Sequence, residues 1–139
     1  MTKVVVDASL ALRWVLKDEK EDKVDSLIYG WAVSLTDMIA PPLFLAEVTN
    51  ALYLACRRQR LNAKEVKLAL HTILELGVRI SVPSELYTRS MDLAINYTLT
   101  NAYDAQYLAL AELESCELWT ADERLARAVR PLPDWLKII

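Results

Sequence analysis

Lys3-Val4-Val5-Val6-Asp7-Ala8-Ser9 opens the chain with a β-branched run that ends on an acidic side chain. Three consecutive valines favour a buried strand. Far downstream, Glu117-Leu118-Trp119-Thr120-Ala121-Asp122 has the same form: a short apolar stretch, then Thr, then Asp. In open parallel sheets, chemistry sits outside the carboxyl ends of the strands. Asp7 and Asp122 are therefore read as two carboxylates at two strand ends of one sheet.

The stretch between them alternates as β-α-α-β-α-α-β-α-α-β-α-β. Strands are predicted at 3–6, 38–40, 78–81, 118–120 and 135–139. A short helix follows Asp7, with Leu10, Val15 and Leu16 facing inward. The charged run 18–23 reads as the solvated start of a helix over 21–33. Pro41-Pro42 ends the second strand and opens a helix from 42 to between 55 and 60. Asn62, with Glu65 three residues on, forms a capping box for a helix over 63–76, which Gly77 stops. Ser84 is predicted to cap a helix running to 97. Helices at 102–115 and 123–129 complete the series. Strands separated by helices imply parallel pairing through right-handed crossovers. The fold class is α/β: a three-layer α/β/α sandwich around a central parallel sheet, as a single domain over residues 1–139.

Composition removes several chemistries. The 139 residues contain two glycines, Gly30 and Gly77, so neither a dinucleotide-binding fingerprint nor a P-loop can be written. The lone histidine, His71, sits in a helical pattern, which argues against a His/Cys zinc site or a Ser-His-Asp triad. Cys56 and Cys116 have no ligand-like spacing and read as reduced thiols. No signal peptide is visible, and no apolar run approaches the roughly 20 residues that span a bilayer. The expected location is the cytoplasm. A net charge of −3 argues weakly against a nucleic-acid partner, although an acidic metal centre distorts such a count.

Two more carboxylates stand on apolar helices. Glu47 lies in Leu43-Phe44-Leu45-Ala46-Glu47-Val48-Thr49-Asn50-Ala51-Leu52, and Asp104 precedes Ala105-Gln106-Tyr107-Leu108-Ala109-Leu110-Ala111. A charge in such company is costly unless compensated. Each acid has an ordinary reading: Asp7, Asp104 and Asp122 as helix-start residues, Glu47 as the partner of an arginine. Jointly, four acids at strand ends or on apolar helices form a cluster that needs a cation. Hard oxygen donors select Mg²⁺ or Mn²⁺. Ser9, Asn50 and Thr120 lie beside three of the acids and are candidates to orient them.

The chain resembles PIN-domain ribonucleases of the VapC toxin type. The matching pieces are Val5-Val6-Asp7-Ala8-Ser9, Glu47-Val48-Thr49-Asn50-Ala51-Leu52, Tyr103-Asp104-Ala105-Gln106-Tyr107-Leu108-Ala109-Leu110-Ala111 and Thr120-Ala121-Asp122-Glu123-Arg124-Leu125. Together they cover nearly the whole chain, in order. The resemblance implies a sheet ordered 3-2-1-4-5, which makes the strands before Asp7 and Asp122 neighbours. It implies a catalytic and metal-binding quartet of Asp7, Glu47, Asp104 and Asp122. It further implies a metal-dependent endoribonuclease, an RNA substrate, a VapB-type antitoxin as partner, and a homodimer. In the expected division, Asp7, Asp104 and Asp122 hold one ion, and Asp7 with Glu47 positions a second ion or its waters.

Basic residues fall in two groups. Arg57, Arg58 and Arg60, with Lys64 and Lys67 beyond, end one helix. Arg124, Arg127 and Arg130 recur every third residue beside Asp122 and are expected to share a face that grips phosphates. Leu27, Ile28 and Trp31 are candidates to receive an amphipathic partner segment or else belong to the core. Two other classes compete. A haloacid-dehalogenase-like phosphatase needs a second Asp where Ser9 stands. A binding module without catalysis would not need the intact quartet.

Overall fold

A computed structural model describes residues 2–16 and 22–139. Its elements run β1 (Lys3–Val6), α1 (Ala8–Val15), α2 (Asp22–Val33), β2 (Asp37–Ala40), α3 (Leu43–Arg57), α4 (Ala63–Glu75), β3 (Arg79–Ile80), α5 (Leu86–Asn96), α6 (Tyr103–Leu113), β4 (Glu117–Thr120), α7 (Glu123–Ala128) and β5 (Leu136–Ile138). This is the alternation expected from the sequence. The part of the charged run at 18–21 lies outside the described residues.

All four strand pairings are parallel, and the order is β3-β2-β1-β4-β5. β1 is central, with Val5 opposite Ile39 on one side and Leu118 on the other. A central parallel strand is covered on both faces, so its residues are uniformly apolar. Val4, Val5 and Val6 are all buried accordingly. The chain moves one way along the sheet from β1 to β3 and the other way from β3 to β5. Right-handed crossovers then place α1–α4 on one face and α5–α7 on the other. Helix packing agrees: α1 contacts α2, α3 and α4, while α5 packs along α6.

Local signals held where they were strong. Asn62 accepts from Glu65 N–H at 2.8 Å while the Glu65 side chain accepts from Asn62 N–H at 3.1 Å, completing the capping box. Gly77 has φ +79°, the left-handed geometry that a side chain resists. Ser84 is a correction. Glu85 holds the N-cap position of α5 and makes no side-chain cap. The Leu86 N–H bonds to the Pro83 carbonyl instead, so a backbone turn does what the serine was expected to do. A second correction concerns Arg130. Helix α7 ends at Ala128 and Val129 is extended, so Arg130 does not continue the face of Arg124 and Arg127. Arg130 precedes Pro131, a position that disfavours helix. Ile28 is core, and Leu27 and Trp31 pack partly buried against it, Trp31 edge-on to Trp119 at 6.1 Å.

α3 is seated by Phe44, Val48, Leu52 and Ala55, all buried. Phe44→Ala should cost roughly 3–5 kcal/mol through lost burial and a residual cavity. Urea denaturation would show a lower midpoint at unchanged slope; a loss under about 1 kcal/mol would mean that Phe44 does not anchor α3.

Candidate acidic site

The site begins with the pairing of β1 and β4. Val6 lies opposite Trp119, and the Asp7 N–H continues the ladder to the Trp119 carbonyl at 3.1 Å. Asp7 therefore leaves β1 directly against Thr120. The Thr120 hydroxyl donates to Asp7 Oδ2 at 2.5 Å and the Ser9 hydroxyl to the same oxygen at 2.7 Å. The two hydroxyls are 3.2 Å apart. They are held in turn by backbone donors: Ala121 N–H to Ser9 Oγ at 3.0 Å and Asp122 N–H to Thr120 Oγ1 at 2.9 Å. Asp7 occupies the N-cap position of α1 but makes no capping hydrogen bond with its side chain. Its Oδ1 has no side-chain hydrogen bond among the described residues.

Asp122 does cap. It accepts the Arg124 N–H at 2.9 Å at the start of α7, and the Arg124 guanidinium lies 3.3 Å from the same Oδ1. The ordinary helix-start reading of Asp122 therefore holds. Among the described residues Glu47 pairs with no arginine. It accepts instead from the Tyr107 hydroxyl at 2.6 Å, a bond that ties α3 to α6 across the end of the sheet. Tyr107 had no role in the sequence reading beyond apolar packing. The available signal was a tyrosine inside the buried apolar stretch 105–111 of α6, because a buried phenol needs a partner. Asn50 is exposed and makes no side-chain hydrogen bond among the described residues.

Electrostatics bind the four acids together. Burial pushes the Asp7 carboxyl above its ordinary range; the Thr120 and Ser9 hydroxyls pull it back, and Asp122 pushes it up again. Burial raises Glu47 to about 7 against the opposing Tyr107 bond, with further contributions from Asp7 and Asp104. Asp104 rises to about 6 through burial, Asp7 and Asp122, and Arg124 opposes the rise. Asp7 thus interacts with each of the other three. Among the described residues, however, no three acids are drawn together into a ready coordination shell.

Residues 4–131 match the PIN domain family. The chain belongs to that family. The haloacid-dehalogenase alternative falls with this match. Among known PIN-domain relatives, the chain is 33% identical over 123 residues to a VapC ribonuclease of Mycobacterium bovis, covering 88% of each. The same figures hold for ribonuclease VapC9 of Mycobacterium tuberculosis. Its fold is shared with VapBC2 of Rickettsia felis, solved bound to a promoter DNA fragment, at TM-score 0.73 and 14% identity over 99% of both chains. No helix among the described residues is long and apolar enough to cross a membrane.

The raised carboxylates of this PIN domain have a measurable consequence. A carboxylate whose folded pKa exceeds its unfolded one binds more protons in the folded state, so stability falls as pH rises between the two values. For Glu47 the window is from the ordinary 4.5 to about 7, and for Asp104 from the ordinary 3.8 to about 6. In EDTA the protein should melt at a higher temperature at pH 5 than at pH 7.5. Glu47→Gln should flatten that difference, and an equal slope in the variant would remove Glu47 as its source.

Proposed function

We propose that this PIN-domain protein is a divalent-metal-dependent endoribonuclease of the VapC type, the toxin of a toxin–antitoxin pair. The observation that carries the reading is the coupling of Asp7 to Glu47, Asp104 and Asp122 at the carboxyl ends of adjacent parallel strands. Two VapC ribonucleases at 33% identity over most of the chain support the substrate class.

The donors fit Mg²⁺ or Mn²⁺. All are oxygens, no imidazole or thiolate is among them, and their mutual repulsion is what a divalent charge relieves. Mg²⁺ keeps several waters and uses few protein carboxylates alongside substrate phosphates, so a site without a closed cage suits it. Asp7, Asp104 and Asp122 would hold an ion, directly or through water, with Glu47 placed to position a second ion or its waters. When bound, such an ion supplies Lewis acidity at phosphoryl oxygens and lowers the pKa of water.

The chain's own residues fix orientation. Ser9 and Thr120 anchor Oδ2 of Asp7 and leave Oδ1 for another ligand. Tyr107 anchors Oε1 of Glu47 in the same way and leaves Oε2. Arg124, over Asp122, and Arg127, exposed one turn on, offer phosphate contacts beside the acids. In-line attack by water breaks the P–O3′ bond and leaves a 3′-hydroxyl and a 5′-phosphate. A VapB-type antitoxin, self-association as a homodimer and a cytoplasmic location belong to the same proposal.

Cleavage of a labelled, mixed-sequence single-stranded RNA tests the reading. Wild type with Mg²⁺ or Mn²⁺ should cut, EDTA should stop it, and Asp7→Asn should lose roughly 100-fold or more. Equal cutting by the variant would point to a contaminant and sink the assignment. A 2′,3′-cyclic phosphate end would show attack by the 2′-hydroxyl and overturn the hydrolytic route. Independently of activity, Mn²⁺ titration at pH 7.5 should raise the melting temperature of wild type and leave Asp104→Asn much less responsive.

A further inference from the structure

A cavity opens beside the acidic centre. It measures about 270 Å³ and lies between α1 and α3, with Ser9 at its edge. Leu12 and Leu54 supply apolar wall, while Arg13, Arg58 and Arg60 supply charge. Ser9 is also the residue whose hydroxyl holds Asp7, so the cavity and the acidic centre share a side chain. Arg13 is one turn past Ser9 on α1, roughly 6 Å along the axis. The arginines come from separate places: Arg13 from α1, Arg58 from the C-cap of α3, Arg60 from the turn beyond. Arg58 forms no ion pair among the described residues.

We propose that this pocket binds a phosphate of single-stranded RNA flanking the one cleaved. The inference rests on the ribonuclease reading above and adds the subsite that holds the strand. A phosphodiester chain entering a cluster of four carboxylates is repelled there, and a chain of net charge −3 offers no general attraction. Affinity must come from local cations. Guanidinium groups stay charged at any working pH and match phosphate oxygens with paired N–H donors. The volume suits one phosphate with its nearest sugar atoms rather than a length of strand, being below the roughly 300 Å³ at which small-molecule pockets begin. Arg57 is the internal contrast. It is exposed, adjacent in sequence to Arg58, and does not line the cavity.

Fluorescence anisotropy of a labelled mixed-sequence single-stranded RNA tests this in Mg²⁺, using the full chain with Asp7→Asn to halt cleavage. Adding Arg58→Ala should weaken binding about tenfold and reduce the slope of log affinity against log salt by about 0.7. Arg58→Lys should keep the salt slope and lose part of the affinity. Arg57→Ala should stay within about twofold. Equal effects at Arg57 and Arg58, or none at either, would overturn the pocket while leaving the ribonuclease reading intact. Failure of the parent to bind RNA, together with failed cleavage by wild type, would remove the ribonuclease reading itself. An Arg58→Ala variant that binds RNA normally but loses a glutamate-rich peptide would assign the pocket to carboxylates of a protein partner and overturn the RNA assignment. A melting curve matching the parent's excludes misfolding as the cause of any loss.

Discussion

The Asp7 carboxylate is buried at the end of the central strand, and the site around it depends on how that burial is compensated. An ionised carboxylate removed from water without partners costs several kcal/mol. Here both compensating hydroxyls converge on one oxygen, and each is itself pinned by a backbone N–H from the segment after β4. The arrangement works only in one register. Slipping β4 by a single residue against β1 would turn Thr120 to the opposite face of the sheet and leave Asp7 with Ser9 as its one hydroxyl donor. The β1–β4 pairing is therefore a constraint on chemistry as much as on topology.

The other acids are unfavourable for the fold as such. Burial and repulsion hold Glu47 and Asp104 well above the ordinary carboxylate range, so their charged forms work against folding. They are kept in place chiefly by the packing of their helices, with one hydrogen bond from Tyr107 to Glu47. Phe44, Val48 and Leu52 seat α3, while Ala105, Leu108 and Ala109 bury α6 against β1 and β4. The Tyr107–Glu47 bond then fixes the spacing between the two helices at the sheet end. Packing energy on the apolar faces thus sustains an electrostatic arrangement that has no stabilising role of its own.

Much of this was legible in the sequence because its signals were local or periodic. The valine run, the capping box at Asn62 and Glu65, the Gly77 stop and the alternation of strands with helices each depend on a few neighbouring residues. Misreadings arose where backbone or tertiary geometry competed. Ser84 lost its cap to the Pro83 carbonyl, Arg130 left the helix before Pro131, and Asn50 points to solvent one turn from Glu47. The strand-end positions of Asp7 and Asp122 were anticipated, yet Tyr107's bond was not, since it joins residues 60 apart in sequence. Arg58 and Arg60 stood out as part of a basic group, but their meeting with Arg13 in one pocket did not, for the same reason. It exists only where α1 and α3 meet, and neither helix alone carries its pattern.

The Asp7–Thr120 bond joins residues 113 apart, spanning most of the chain. Every nascent chain that stops short of Thr120 has a first strand ending in a carboxylate with only the Ser9 hydroxyl beside it, and it lacks Asp122 altogether. Domains fold as units as they emerge during synthesis. Under the function proposed, nuclease competence arises only after the last strands have left the ribosome. The order of residues along the polypeptide thus acts as a timer, keeping an RNA-cutting centre inert while the translation apparatus is still attached to it.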